Sequence, residues 1–302
     1  IRWGFYIFND GVQTVIGIAG AYGADVLGVQ LIFNMITILI VQFVAAPGAV
    51  FFGWLADKIG TKESLIIALM GWIFVVFFVL GFAPLSLDDD NDYDYQIKFS
   101  KTENLYIIDQ SPELSDTADA RDWKKLYHIE QGTLITEKQL ITFLENVEFQ
   151  QSSSYSATVV DENTKVISSN HPTILSDSFL DKWPSFVRSV LWEPLSITIG
   201  YQWLLLGVLS GIVLGGSQAL ARALFSMMTP VKKSAEFFGF YAFTMKAASV
   251  IGPLIYVAAV NSSDEKVGVL IIWLLIIAGT LLLSTVNVKE GIKIAEQENS
   301  KS

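Results

Sequence analysis

No cysteine occurs among the 302 residues, which excludes disulfides and thiolate metal centres and leaves the redox compartment unmarked. Histidine is nearly absent too: His128 and His171 are the only two. Both fall in a polar stretch with no motif around them and read as ordinary surface side chains, so neither a histidine-built metal site nor any cofactor is expected. Charge is missing from two long runs, 65–82 and 267–286, neither of which holds an ionisable residue. No nucleophile–base pair or metal set stands out, so the chain does not read as an enzyme.

What is present is apolar. Hydrophobic residues make up 52% of the chain and the mean hydropathy is +0.46, whereas soluble domains reach roughly 45–50% only with glycine counted. Six segments have the length and composition of membrane spans: 3–23, 29–55, 64–85, 195–220, 237–260 and 267–286. The first is too long for a signal peptide and carries Asn9-Asp10 in its middle. Because the chain begins with Ile and enters a span almost at once, it is expected to be a fragment with sequence upstream. The expected organisation is three spans in 1–86, a soluble insert in 87–194, three spans in 195–288 and a cytoplasmic tail in 289–302.

The net charge of −10 is concentrated in the insert, where 84–195 holds 20 Asp/Glu against 9 Lys/Arg. So acidic a unit repels nucleic acid and anionic headgroups, and nucleic acid is not expected as a partner. With the N-terminus inside, the cytoplasmic side receives Arg2, Lys58, Lys62, Arg222, Lys232, Lys233, Lys289, Lys293 and Lys301, and the outer short loops only Lys266. That bias predicts cytoplasmic termini and an extracytoplasmic insert.

Polar side chains are unevenly shared among the spans. In the first, Asp10, Gln13, Thr14 and Gly17 recur at i, i+3, i+4 and i+7 and share one helical face beside Asn9. An intramembrane carboxylate is costly and marks a functional face, although the same residues can also glue helices together by hydrogen bonds. The second span holds Asn34, Thr37 and Gln42 before Pro47-Gly48, where a kink is expected. The fourth carries Gly207, Gly211 and Gly215, then Gly216, Ser217 and Gln218, a spacing that lets a neighbouring backbone come close. The fifth has Lys246, at a depth similar to Asp10, and Gly252-Pro253. An unpaired charge at that depth is costly, so an Asp10–Lys246 pair is expected. The third and sixth spans, apolar all round, are expected to face lipid.

The insert reads as a small α+β unit. Asp88, Asp90, Asp92 and Asp94 alternate like the start of a calcium loop but lack its Gly and closing Glu, so a solvated acidic linker is expected. Strands are expected at 95–99 and 105–108. Thr136-x-x-Gln139 opens a helix to about 146 with a capping box. A hairpin follows, 155–160 with 165–168 around Asp161-Glu162-Asn163-Thr164, and a second helix starts at Ser178.

The stretch Gly53-Trp54-Leu55-Ala56-Asp57-Lys58-Ile59-Gly60-Thr61-Lys62 resembles the Gly-x-x-x-Asp-Arg-x-Gly-x-Arg/Lys loop of the major facilitator superfamily, with Lys58 where Arg is usual. Asn9 to Thr14, Gly215-Gly216-Ser217-Gln218-Ala219-Leu220-Ala221-Arg222, and Glu236 to Tyr241 with Lys246 and Gly252-Pro253 resemble, within it, the autophagy-related vacuolar amino-acid effluxers and their bacterial relatives. The resemblance covers the six spans and leaves out the insert. It implies an all-α polytopic membrane protein: the C-terminal six-helix half of a major facilitator fold, two three-helix repeats, with the α+β insert between them. It further implies a secondary active transporter of small solutes, amino acids for the family, working by alternating access with the missing N-terminal six-span half. The substrate or coupling cavity would take Asn9, Asp10, Gln13, Thr14, Asn34, Gln42, Gln218 and Lys246. A conformational latch would use Gly53, Asp57, Lys58, Gly60, Lys62, Arg222 and Glu236. The expected partners are the lipid bilayer, a small-molecule substrate and a coupling proton, in a bacterial plasma membrane rather than a vacuolar one. A reading of another class is a membrane-anchored sensor whose outer insert binds a ligand.

Overall fold

The computed structural model describes residues 2–87, 92–114, 118–150, 153–176, 178–262 and 265–300. In chain order, α1 (Arg2–Ala21) runs into a π-helical turn at Tyr22–Val26, and α2 (Leu31–Ile59) and α3 (Thr61–Val79) follow. Next come β1 (Asp94–Ser100), β2 (Leu105–Gln110), α4 (Ala118–Leu126), β3 (Leu134–Ile135), α5 (Glu137–Phe149), β4 (Ser156–Val159) and β5 (Thr164–Ile167). The short helices α6 (Lys182–Val187) and α7 (Glu193–Leu195) lead to α8 (Ile199–Met227), α9 (Ser234–Ser262), α10 (Glu265–Ser284) and α11 (Val288–Ser300). The chain divides into two compact units, Ile1–Ala24 with Leu31–Gly81 and Gly200–Ser302, and Asp25–Gln30 with Phe82–Ile199.

Among the described residues, four helical stretches are long and apolar enough to cross a membrane: Leu31–Ile59, Thr61–Val79, Ile199–Met227 and Lys266–Ser284. α9 adds a shorter apolar stretch, Val250–Val260. The first unit is therefore the membrane part of a mostly helical, polytopic protein.

Its packing fixes the helix directions. In α2 and α8, Thr37 meets Gly207, Val41 meets Gly211 and Ala45 meets Gly215, so the two run parallel with their backbones nearly touching. A Cβ on Gly211 would stand 2.9 Å from the Val41 carbonyl oxygen, which is why the seam is built of glycine. α1 crosses α10 with Gly11 against Ile276 and Gly279 against Phe8, an antiparallel contact. α3 also runs against α10: Trp273 Nε1 donates to the Ile73 carbonyl at 2.9 Å, and Lys62, at the other end of α3, reaches the last turn of α10. Pro47 sits inside α2 without ending it, and Gly48 next to it lies against the backbone of Ile212.

Lipid exposure follows the sequence only in part. α3 buries a stripe of Leu65, Ala68, Leu69, Trp72, Val75, Val76 and Val79 and leaves Ile67, Met70 and Phe74 uncovered. The chain covers α2 far less, with Leu31, Ile38, Phe43, Val50 and Trp54 all exposed. Lipid and protein interior are equally apolar, so uniform hydropathy does not say which one a helix faces. Most of the 289–302 tail is helical, as part of α11. Its first turn is met by Asn287, whose Oδ1 accepts from Glu290 N at 3.2 Å, and its end docks on the α8–α9 connection through Lys233–Glu298 at 3.0 Å and Val231 N to Asn299 Oδ1 at 2.9 Å.

The second unit is a five-stranded sheet, β3-β2-β1-β4-β5, with helices packed on it. Its central pair, β1 and β4, is parallel, with Asp94 opposite Ser156 and Ile97 opposite Val159; the other pairs are antiparallel. A parallel pair needs a long crossover, and here that connection contains α5. Alternation puts Tyr95 and Ile97 of β1, with Ala157 and Val159 of β4, into a core closed by Trp123 and Phe143. The capping box forms as expected, with Thr136 Oγ1 accepting from Gln139 N and Gln139 Oε1 from Thr136 N. Ser178 likewise caps a 3-10 turn at Phe179–Asp181. α4 and β3 are additions that the sequence did not announce.

Two expectations for this unit are corrected. Asp88, Asp89, Asp90 and Asn91 lie outside the described residues, but Asp94 is no solvated linker residue. It is buried in β1, where its Oδ1 accepts from Ser156 Oγ at 2.6 Å and Thr158 Oγ1 at 3.1 Å. Nor are the histidines surface residues. His171 is buried with its Nδ1 2.7 Å from Thr173 Oγ1, and His128 sits half-buried beside Tyr95. Each of these polar groups is buried beside a hydrogen-bond partner, which is what burial of a polar side chain requires.

Candidate functional site

The polar face of α1 is turned into the helical unit. Thr14 is fully buried, Asn9 is buried, and Asp10 and Gln13 are half-buried. Thr14 spends its hydroxyl on its own helix, donating to the Asp10 carbonyl at 2.6 Å. The Asp10 carboxylate reaches across to α9, where Oδ1 accepts from Gly252 N at 3.0 Å.

The reason for this contact lies in the Gly-Pro pair. Pro253 has no N–H, and its ring crowds the carbonyl one turn back, so the α9 ladder is interrupted there. The Gly252 N–H, just before that interruption, is met by the carboxylate, a strong acceptor. Only glycine permits the approach: a Cβ on residue 252 would overlap the Thr14 hydroxyl and lie 3.0 Å from Asp10 Oδ1.

α1 and α9 thus come together as expected, and the carboxylate meets the α9 backbone at Gly252. Lys246 is exposed and lies six residues before Gly252, about 9 Å along the helix.

The other cavity candidates separate into two groups. Asn34 is buried, donating from Nδ2 to the Gly20 carbonyl at 3.5 Å while its Oδ1 finds no partner among the described residues. It is directed at the α1 end, where a Cβ on Gly23 would lie 2.9 Å from that oxygen. Gln42 and Gln218 are exposed, outside the α1–α9 cluster. Beside Gln218 it is Ser217 that points inward, buried and accepting from Trp72 Nε1 at 3.0 Å. Sequence reading also passed over Gln202, fully buried near the start of α8. A glutamine inside an apolar span was the available signal.

The latch candidates gather where α2, α3 and α10 end. Gly60 turns the chain between α2 and α3 with φ +100°, a conformation that only glycine adopts without strain. Lys58 stands 3.9 Å over the Trp54 ring, and Asp57 is exposed. Gly53 has open space where a Cβ would stand. Lys62 makes the firm contact, donating from Nζ to the Ser284 and Val286 carbonyls at 2.7 and 2.8 Å. A cation on the last carbonyls of a helix satisfies orphan acceptors and its dipole together. Arg222 and Glu236 are exposed at the ends of α8 and α9, and Arg222 reaches the Tyr241 hydroxyl.

Against known proteins, the family model described as "Vacuole effluxer Atg22 like" matches residues 3–89 and 189–296. An uncharacterized MFS-type transporter, YxiO of Bacillus subtilis, is 35% identical over 86 residues, 28% of this chain and 20% of that protein. Autophagy-related protein 22-2 of Emericella nidulans is 28% identical over 134 residues, 41% and 22% of the two chains. Autophagy-related protein 22 of Saccharomyces cerevisiae is 29% identical over 121 residues, 38% and 23%. The matched segments thus span about a fifth of these relatives' length. No solved structure matches.

Proposed function

Because the chain belongs to the vacuole effluxer Atg22-like family of major facilitator transporters, we propose that it is the C-terminal six-span half of a secondary transporter that exports small solutes, amino acids being the class the family points to. α2 and α8 run parallel while α1 and α3 both run antiparallel to α10, a pattern that supports six alternating crossings with both termini on the cytoplasmic side. The uncovered faces of α2 and α9 then suit the missing N-terminal half. The bacterial plasma membrane is the proposed location.

The observation that carries this reading is the Asp10 carboxylate on the N–H before Pro253. It is a charge placed where one helix is free to bend, in a layer where charge is expensive. Asp10 takes up the coupling proton or meets the substrate, and α9 changes course in response, which is how a rocking half-transporter opens to alternate sides. Asn9 and Gln13 line the same region, Asn34 adds a polar group towards the far end of α1, Lys246 and the exposed Gln42 and Gln218 face the other half, and Lys62 holds the cytoplasmic end closed.

The test is transport by the full-length protein in vesicles. Asp10→Ala and Lys246→Ala should each abolish flux of labelled amino acids while folded protein stays at the wild-type level. Unchanged flux in both removes the site assignment. Replacing 87–193 by a short linker separates transporter from sensor, since flux that survives the deletion makes the insert accessory.

A further inference from the structure

We infer that the soluble unit holds a binding site for a small monocarboxylate with an apolar body, separate from the transport helices. The site is a cavity of about 370 Å³ between the end of α4 and the exposed face of α5, within the roughly 300–1,000 Å³ of small-molecule pockets. Its apolar walls are Leu126, Tyr127, Ile135 and Phe143, and its polar groups are His128, Lys138, Gln139, Thr142 and Asn146.

The hydrogen-bond state of these groups follows from their partners. Trp123 Nε1, which only donates, gives its hydrogen to Tyr95 Oη at 2.9 Å. Tyr95 is fully buried, and its own hydrogen has one acceptor within reach, His128 Nδ1 at 2.8 Å. A buried hydroxyl hydrogen left without an acceptor is destabilising. His128 is therefore neutral with its proton on Nε2, and it presents an N–H donor. Burial lowers its pKa, Glu130 pulls it up and Lys124 pushes it down. Gln139 is fixed as well: its Oε1 is taken by Thr136 N and Thr136 Oγ1, both at 2.9 Å, so its NH₂ end is left to face outward.

The pocket thus offers an imidazole N–H, an amide NH₂ and the Lys138 ammonium, and no carboxylate lines it. The surrounding stretch 84–195, by contrast, holds 20 Asp and Glu against 9 Lys and Arg. Three donors over an apolar floor recognise an anion attached to an apolar body. A zwitterion is disfavoured, because its ammonium would find no charge partner. The recognition chemistry here differs from that proposed for the helical site.

The test uses the full chain in detergent micelles and ¹⁹F resonances of three probes: 4-fluorophenylacetate, 4-fluorophenylacetamide and 4-fluorophenylalanine. The acetate should bind saturably, with the amide and the amino acid at least about tenfold weaker. Lys138→Gln, on an exposed helix face, should weaken the acetate about tenfold, and Thr142→Trp, which fills the cavity from its rim, should abolish binding. Asp10→Asn should leave it unchanged. Equal binding of acetate and amide, or acetate binding indifferent to both insert variants, overturns the inference.

Discussion

The two units solve the same problem, a carboxylate inside the structure, by opposite means. In the soluble unit Asp94 is met by two side-chain hydroxyls of the adjacent parallel strand, Ser156 and Thr158. In the helical unit Asp10 is met by the backbone N–H of Gly252, next to Pro253 where the α9 ladder is interrupted. Sheet neighbours present side chains at fixed register, so sequence can place a hydroxyl opposite a carboxylate. Helix neighbours keep their backbone bonds internal, and an acceptor from outside is served only where the ladder is interrupted. The cores differ in the same spirit: the sheet is filled by Trp123, Tyr95 and Phe143, whereas α2 and α8 close on glycine. Water drives the first kind of core together, while the second must rely on contact distance.

That contrast can be broken at its strongest point first. Trp123→Ala should destabilise the soluble unit by about 3–5 kcal/mol, seen as an earlier denaturant midpoint by tyrosine fluorescence, with transport by surviving protein little changed. Gly211→Leu should act on the other unit alone, costing about 1–3 kcal/mol through overpacking and lowering the melting temperature of purified protein. If both variants shifted both units equally, the units would not be independent.

Charge and hydrogen bond are separated next. Asp10→Ala leaves the Gly252 N–H without an acceptor, about 1–3 kcal/mol, whereas Asp10→Asn keeps an oxygen there. The asparagine variant should stay near wild-type stability yet lose proton-coupled flux; if it transports normally, the carboxylate serves structure only. Lys62→Ala should cost about 1 kcal/mol through the α10 terminus, measured as faster hydrogen exchange in its last turn.

The smallest effect is a pH dependence confined to the soluble unit. His128 has its pKa lowered by burial, so the unfolded chain binds a proton more readily than the folded one. Stability from this residue is full above the ordinary histidine value and falls as acidification carries the pH through the lowered one. Comparing wild type with His128→Gln between pH 7.5 and 5 isolates it; equal acid sensitivity in both would show that carboxylates account for all of it.

Much of this was legible from residue order. The capping box at Thr136 is a local device and formed where its four-residue pattern stood. The hairpin of β4 and β5 forms for the same reason, although its turn is 160–163, one residue earlier than expected, because Thr164 already pairs with Val159. The Gly207, Gly211 and Gly215 seam was readable as a close approach, but not its partner, because spacing states a distance without naming who fills it. The parallel pairing of β1 with β4 depends on a crossover some 60 residues long, so nothing local encodes it. At the polar site, position along the helix brought Asp10 and α9 together correctly. The backbone donor at Gly252 was not foreseen, because sequence matches charge to charge more readily than charge to a main-chain N–H.

Mechanically, α9 is one helix with a weak section at Gly252-Pro253. A continuous helix resists bending because every turn must stretch several hydrogen bonds at once; Pro253 brings no N–H, so one of those bonds is absent and the rod is most compliant there. The Asp10 carboxylate braces that section from the neighbouring helix. On the proposed function, a proton or a competing ligand at Asp10 would remove the brace and leave the rest of the rod unstrained.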